Sequence, residues 1–147
     1  MFLGQYEHSI DSKGRLTIPA RFRDLLIDGA YITLGFDNSL MVMTSDYFNR
    51  MVQKINAMNM ADPTSRQFRR FIFSKADHQE IDRAGRILIQ QFLRDAVGLQ
   101  DNVIVVGVGE YVEIWTPEAW NRQNEALQNA EETAERFASL DLTVSRP

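Results

Sequence analysis

The sequence predicts an α+β fold with a mostly β core, in which two copies of one unit pack together as one body with peripheral helices. Three observations predict it. A five-residue signature, D-x-x-G-R, occurs as Asp11-Ser12-Lys13-Gly14-Arg15 and again as Asp82-Arg83-Ala84-Gly85-Arg86, 71 positions apart in 147 residues. A repeat at half the chain length marks two copies of one supersecondary unit. The positions around the signature recur with it: Ile10 with Ile81, Leu16 with Ile87, Ile18 with Ile89, Phe22 with Leu93 and Arg23 with Arg94. Past a one-residue slip the spacing becomes 72, pairing Ile32 with Ile104, Gly35 with Gly107, Val42 with Ile114 and Thr44 with Thr116. Finally, a unit of roughly 70 residues is marginal for a core of its own, so the two copies are expected to share one.

Taken in order, residues 2–10 alternate roughly and read as a strand, the Asp-Ser-Lys-Gly stretch as a turn, and 15–18 as a second strand, with Leu16 and Ile18 on one face and Arg15 and Thr17 on the other. The two strands read as a hairpin bent at the signature. Pro19 opens a short helix over 20–27, closed by Asp28-Gly29. A second hairpin joins 30–35 to 39–43. Thr44 or Ser45 caps a helix to about residue 58, and Asp62-Pro63 starts another, with Phe68, Phe71 and Ile72 at helical spacing. The order then repeats: a strand at 75–81, the second signature, a strand at 86–89, a helix at 91–97 ended by Gly98, and a hairpin of 103–108 with 111–115. Thr116-Pro117-Glu118 starts a last helix, expected to run to about Leu140. The expected organisation is a first repeat with its following helix over 1–60, a helical connector over 61–74, and a second repeat with a C-terminal helix over 75–147. Met41, Met43, Met51, Met58 and Met60 are expected to fill gaps in the core.

The apolar fraction of 44% and charged fraction of 24% are those of a soluble globular chain. Without cysteine there are no disulfides and no thiolate metal sites. Met1 to Glu7 lacks a basic start and a long apolar stretch, and the longest apolar run, Val103 to Gly109, is too short to span a bilayer. The expectation is a cytoplasmic protein with no membrane partner and no small-molecule substrate. The net charge of −4 hides a marked asymmetry: residues 1–63 carry −1, residues 64–94 carry +4, and residues 95–147 carry −7. A basic middle is compatible with a nucleic-acid face and equally with solvated helix and strand surfaces.

The signature has a physical reading. Gly14 and Gly85 allow the chain to reverse tightly, and Asp11 and Asp82 stand where a carboxylate accepts backbone N–H groups, a turn-structural role. Arg15 and Arg86 leave the turn on the polar face. They have two open roles: to pair with the aspartates inside the bend, or to contact a ligand. An Arg fork on a rigid hairpin suits guanine edges and phosphates, and a two-stranded ribbon fits the major groove of B-DNA.

The run Asp-Ser-Lys-Gly-Arg-Leu-Thr-Ile-Pro-Ala-Arg-Phe-Arg resembles the AbrB-type swapped-hairpin DNA-binding motif. Two copies in a chain of this length, the second reading Asp82-Arg83-Ala84-Gly85-Arg86-Ile87-Leu88-Ile89, resemble the MraZ family over nearly the whole chain. The resemblance implies a transcriptional regulator, a repressor of its own division and cell-wall operon, bound to short direct repeats upstream. It also implies two halves interlocked as a pseudo-dimer and a homo-oligomer closed as a ring. On that resemblance the DNA-contacting residues are Arg15 and Arg86, with Lys13 in a matching place in the first copy; Arg83 adds support on the second turn, and Arg21, Arg23 and Arg94 are weaker phosphate candidates. A ring needs a closing surface, which the residues do not place; the helices at 45–73 are the candidate. The copies differ: Lys13 matches Ala84, Ser12 matches Arg83, and Pro19 matches Gln90, so the two turns are not expected to contact DNA identically.

Other readings carry less. His78, Glu80 and Asp82 alternate on a strand, but one nitrogen without a recognisable spacing makes a poor metal site, and neither a metal nor a cofactor is expected. Gly107-Val108-Gly109 lies in a hairpin with no helix opening on it. No catalytic motif stands out, so the chain is not expected to be an enzyme; a self-cleaving decarboxylase of similar fold needs a Gly-Ser step, which is lacking. The alternative is an antitoxin-like module that binds both DNA and a protein partner, disfavoured by the helical C-terminus.

Overall fold

The structure, a computed structural model, describes all of residues 1–147. It falls into two compact units, Met1–Pro117 and Glu118–Pro147. The first contains eight strands: β1 (Phe2–Ser9), β2 (Arg15–Thr17), β3 (Ala30–Leu34), β4 (Leu40–Met43), β5 (Asp77–Gln79), β6 (Arg86–Leu88), β7 (Asn102–Gly109) and β8 (Val112–Trp115). Its helices are α1 (Ala20–Arg23), continued by a 3-10 turn over Asp24–Leu26, α2 (Ser45–Asn56), α3 (Pro63–Phe73) and α4 (Gln91–Val97). No helix is long and apolar enough to cross a membrane.

Local chemistry places the helix ends where the sequence does. Thr44 caps α2 by accepting the Tyr47 N–H at 3.0 Å, and Asp62 caps α3 by accepting that of Thr64 at 2.9 Å with Pro63 behind it. Gly98 ends α4 in the left-handed conformation, φ +70°.

Six strands form one antiparallel sheet in the order β1-β7-β8-β4-β3-β5, and β2 pairs with β6 as a separate two-stranded ribbon. This corrects the hairpin expected of β1 and β2. Only an isolated bridge, Ile10 to Leu16, ties them, whereas β1 pairs along its whole length with β7 of the second repeat. The reason is burial. A three-residue β2 left beside β1 would expose its apolar side, while crossing to β6 sets Leu16 directly opposite Ile87, both at 0% exposure.

The registers obey a two-fold relation between the repeats. In the ribbon, Arg15 opposes Leu88 and Thr17 opposes Arg86; exchanging the copies converts one pair into the other. In the large sheet the same exchange converts Leu40–Ile114 into Val42–Val112. This is the isologous geometry of a symmetric dimer, written into one chain. Ile10, Leu16, Ile18 and Phe22 of the first repeat share a single core with Ile87, Ile89, Leu93 and Val105 of the second.

The copies diverge at their edges. β5 spans only Asp77–Gln79, short of the expected 75–81, and pairs with β3 over three residues where β1 makes eight pairs. The α2–α3 excursion precedes β5, and α3 is anchored by the buried Thr33 hydroxyl donating to the Ile72 carbonyl at 2.6 Å. A smaller cluster joins Met41 and Met43 of β4 to Phe48 of α2, with Met51 partly buried against it. Met58 and Met60 are exposed, contrary to expectation, because both fall beyond the end of α2 at Asn56.

Toward the C-terminus the single helix expected to reach Leu140 is two: α5 (Pro117–Glu125) and α6 (Ala130–Phe137). Asn129 makes the break. Its side chain accepts the Glu132 N–H at 3.0 Å, the behaviour of an N-cap and not of a helix interior. Residues 138–147 contain no further regular element.

Candidate nucleic-acid interface

Both signature turns are built the same way, from the aspartate outward. Asp11 Oδ1 accepts the backbone N–H groups of Lys13 and Arg15 at 3.0 and 2.9 Å, and Oδ2 accepts Arg15 Nε at 2.9 Å. Asp82 Oδ1 accepts those of Ala84 and Arg86, both at 2.9 Å, and Oδ2 accepts Arg86 Nε at 3.0 Å. Each turn is closed by backbone pairs between its ends, Asp11 N–H to Arg15 carbonyl and Asp82 N–H to Arg86 carbonyl, both 2.9 Å. The glycines take φ of +83° and +77°, where a side chain is strained. These contacts hold the aspartate carboxyls below the usual range, mainly through the backbone N–H of Arg15 for Asp11 and of Arg86 for Asp82. The aspartates therefore keep their turn-structural role.

The two roles left open for Arg15 and Arg86 are compatible. Nε pairs with the aspartate, which fixes the side chain, and about a third of each side chain stays exposed (33% and 30%). With Leu16 and Ile87 turned into the core, Arg15, Thr17, Arg86 and Leu88 alternate onto the other face of the ribbon. One face thus gathers Arg15 and Arg86, one from each repeat. Lys13 and Arg83 stand exposed on the two turns, at non-equivalent positions. Four cations face two carboxylates across the pair of turns.

The turns are also tied to each other. Ile18 N–H donates to the Gly85 carbonyl and Ile89 N–H to the Gly14 carbonyl, both at 2.8 Å. Arg23 and Arg94, weaker phosphate candidates from the sequence, are each committed through Nε to a carbonyl, Ile18 and Ile89 respectively, at 3.0 Å. Each guanidinium lies against the glycine of the opposite repeat's turn: a Cβ on Gly85 would collide with Arg23, and one on Gly14 would come 3.1 Å from Arg94 Nη2. Sequence reasoning missed this bracing, although Arg23 and Arg94 recur at the same spacing as the signature. Arg21 is exposed on α1.

Part of the basic middle has a structural use. Arg69 donates from Nη2 to the Ile55 and Asn56 carbonyls at 3.2 Å, closing the end of α2, and Arg66 Nη1 donates to the Met60 carbonyl at 3.0 Å.

Comparison with known proteins agrees with the internal symmetry. A family model described as "MraZ protein, putative antitoxin-like" matches the chain twice, over residues 1–71 and 72–141. The chain belongs to the MraZ family. A "Transcriptional regulator MraZ" of Thermomicrobium roseum is 44% identical over 141 residues, covering 95% of this chain and 99% of the relative. Proteins of the same name from Roseiflexus castenholzii (42% identical, 95% and 99% covered) and Heliobacterium modesticaldum (41% identical, 97% and 100% covered) are similar. The point where one MraZ match ends and the next begins, between Phe71 and Ile72, lies near the C-terminal end of α3.

Proposed function

We propose that this MraZ-family chain is a sequence-specific DNA-binding transcriptional regulator and not an enzyme. The observation that carries the reading is the β2–β6 ribbon, whose outer face presents Arg15 and Arg86, each held by an aspartate on a glycine turn. A ribbon of two antiparallel strands fits the major groove, and an arginine fixed at Nε keeps its terminal nitrogens in a set direction for guanine O6/N7 or a phosphate. Lys13 and Arg83 add positive charge at the rim. The names of the relatives support the regulatory role. The finer reading is a repressor of its own division and cell-wall operon, bound to short direct repeats upstream, in a cytoplasmic, nucleoid-associated setting. The non-equivalence of Lys13 and Arg83 favours an asymmetric site over a palindrome.

A homo-oligomer, closed as a ring, allows several ribbons to engage successive repeats and multiplies a modest single-site affinity. An exposed aromatic cluster favours assembly through the α2–α3 region: Phe36 stacks on Phe68 and Phe71 of α3 at 6.1 and 5.9 Å, and itself remains 66% exposed.

The test is fluorescence anisotropy with a labelled duplex from upstream of the protein's own gene, against a scrambled duplex, at two salt concentrations. Tight binding to the first, lost in Arg15→Ala/Arg86→Ala, is expected. Equal weak binding to both duplexes would transfer weight to the antitoxin-like protein-binding reading.

A further inference from the structure

We propose that Arg23 and Arg94 are positioning residues that act crosswise: Arg23 of the first repeat sets the turn that carries Arg86, and Arg94 of the second sets the turn that carries Arg15. The inference rests on the DNA-binding reading above and assigns these two arginines a role other than phosphate contact.

The geometry is a closed clamp. Ile18 donates its N–H to the Gly85 carbonyl at 2.8 Å, and its own carbonyl accepts Arg23 Nε at 3.0 Å. The Arg23 guanidinium then returns over the Gly85 α-carbon, where a Cβ would collide with it. Gly85 is buried and immediately precedes Arg86, whose backbone N–H and Nε are both bound to Asp82. The clamp is therefore set one residue from the reading arginine. The second clamp repeats the pattern through Ile89, Gly14 and Arg94, with the same distances of 2.8 and 3.0 Å.

Three features separate this from a phosphate contact. Both side chains are half-buried, with Nε already engaged within the protein. A flat guanidinium on a bare α-carbon needs both arginine and glycine; lysine offers a point charge with no plane to lay on the backbone. Each contact also crosses between repeats. A residue needed only to neutralise phosphate has no use for such a partner.

The experiment is a set of double-mutant cycles on the full chain, read by anisotropy with the upstream duplex at several salt concentrations and by amide hydrogen exchange without DNA. Arg23→Ala is expected to weaken binding by up to the worth of one base contact, about 5- to 150-fold. That loss is non-additive with Arg86→Ala and additive with Arg15→Ala; Arg94→Ala shows the opposite pairing. The salt slope stays unchanged, whereas loss of a phosphate contact lowers it by about one. Arg23→Lys does not rescue. Without DNA, Arg23→Ala speeds exchange at residues 82–86 and not at 11–15. If Arg23→Ala destabilises the chain too far, Arg23→Met keeps the buried stem while removing the guanidinium and is expected to give the same exchange pattern. A lowered salt slope with additive losses, rescue by lysine, or exchange that rises equally at both turns would overturn the proposal. Wild-type protein that does not distinguish the upstream duplex from a scrambled one would instead overturn the DNA reading, and hydrogen exchange would still decide the clamp.

Discussion

Asp11 of the first repeat reaches across the ribbon to Arg86 of the second, with Oδ2 3.7 Å from Arg86 Nη1, while the same oxygen accepts its own Arg15 Nε at 2.9 Å. One carboxylate thus orients both arginines, and Asp82 holds only the nearer one at 3.0 Å. On the proposed reading, removing either aspartate is expected to have two opposed effects on DNA binding. It subtracts a negative charge from the face, which strengthens binding to any duplex, and it frees an arginine from its set direction, which weakens discrimination. Asp11→Ala is expected to lower the ratio of cognate to scrambled affinity more than Asp82→Ala does, with non-specific affinity raised in both. Paired titrations of the two duplexes read both quantities.

Both aspartates have their carboxyl pKa lowered on folding, mainly by backbone N–H groups. The sign follows from linkage. Between the ordinary aspartate value and the depressed folded value the unfolded chain binds more protons, so stability rises with pH across that window. Their contribution is complete above the ordinary value of 3.8 and is lost as pH falls through the lower folded values. Thermal melts in acid are expected to show a fall below that point, and Asp11→Asn/Asp82→Asn is expected to flatten it. A variant with the wild-type acid slope would refute the assignment.

His8 is shifted the same way for a different reason. Burial, and then the charge of Arg23, lower its pKa from 6.5. The unfolded histidine takes up its proton first, so stability falls as pH drops from about 6.5 toward the folded value and levels out below it. His8→Gln is expected to remove this step while leaving the more acidic one due to the aspartates.

Leu16 and Ile87 face each other at 0% exposure in the ribbon register. Truncating either leaves a cavity beneath the face that carries the arginines. Leu16→Ala is expected to cost about 2–5 kcal/mol in urea unfolding, and the double variant with Ile87→Ala less than the sum, because the two share one space.

The parts of the fold written as local chemistry were legible. Thr44, Asp62-Pro63 and Gly98 announce helix ends because capping and backbone freedom are settled within one turn of chain. The repeat spacing exposed two copies sharing one core because symmetric packing needs equivalent apolar positions in both. Strand partners were not legible within one repeat: β2 carries the same alternation whether it pairs with β1 or with β6, and only shared burial of Leu16 and Ile87 decides. The Asn129 break was missed because an asparagine inside an alanine-rich stretch is ambiguous until its side chain is seen to cap. Arg15 and Arg86 stood out through the motif, but the positions of Arg23 and Arg94 against the opposite glycines depend on how the repeats interlock, which no single stretch of sequence records.

Phe36 tests the assembly reading. It lies in the β3–β4 loop, 66% exposed, and stacks on Phe68 and Phe71, so the three rings form one apolar patch. Apolar surface of this kind gains free energy only when covered, by about 25 cal/mol per Å² removed from water. The ribbon residues belong to other elements, so the patch can be altered without touching the arginines. Phe36→Asp/Phe71→Asp is expected to reduce the mass in sedimentation velocity while leaving the circular dichroism spectrum intact. It is also expected to weaken binding to a duplex carrying several repeats far more than to one carrying a single repeat, because only the multivalent gain is lost. An unchanged mass would place subunit contact elsewhere on the chain. A reduced mass with equal losses on both duplexes would show that assembly serves stability and not the reading of successive repeats.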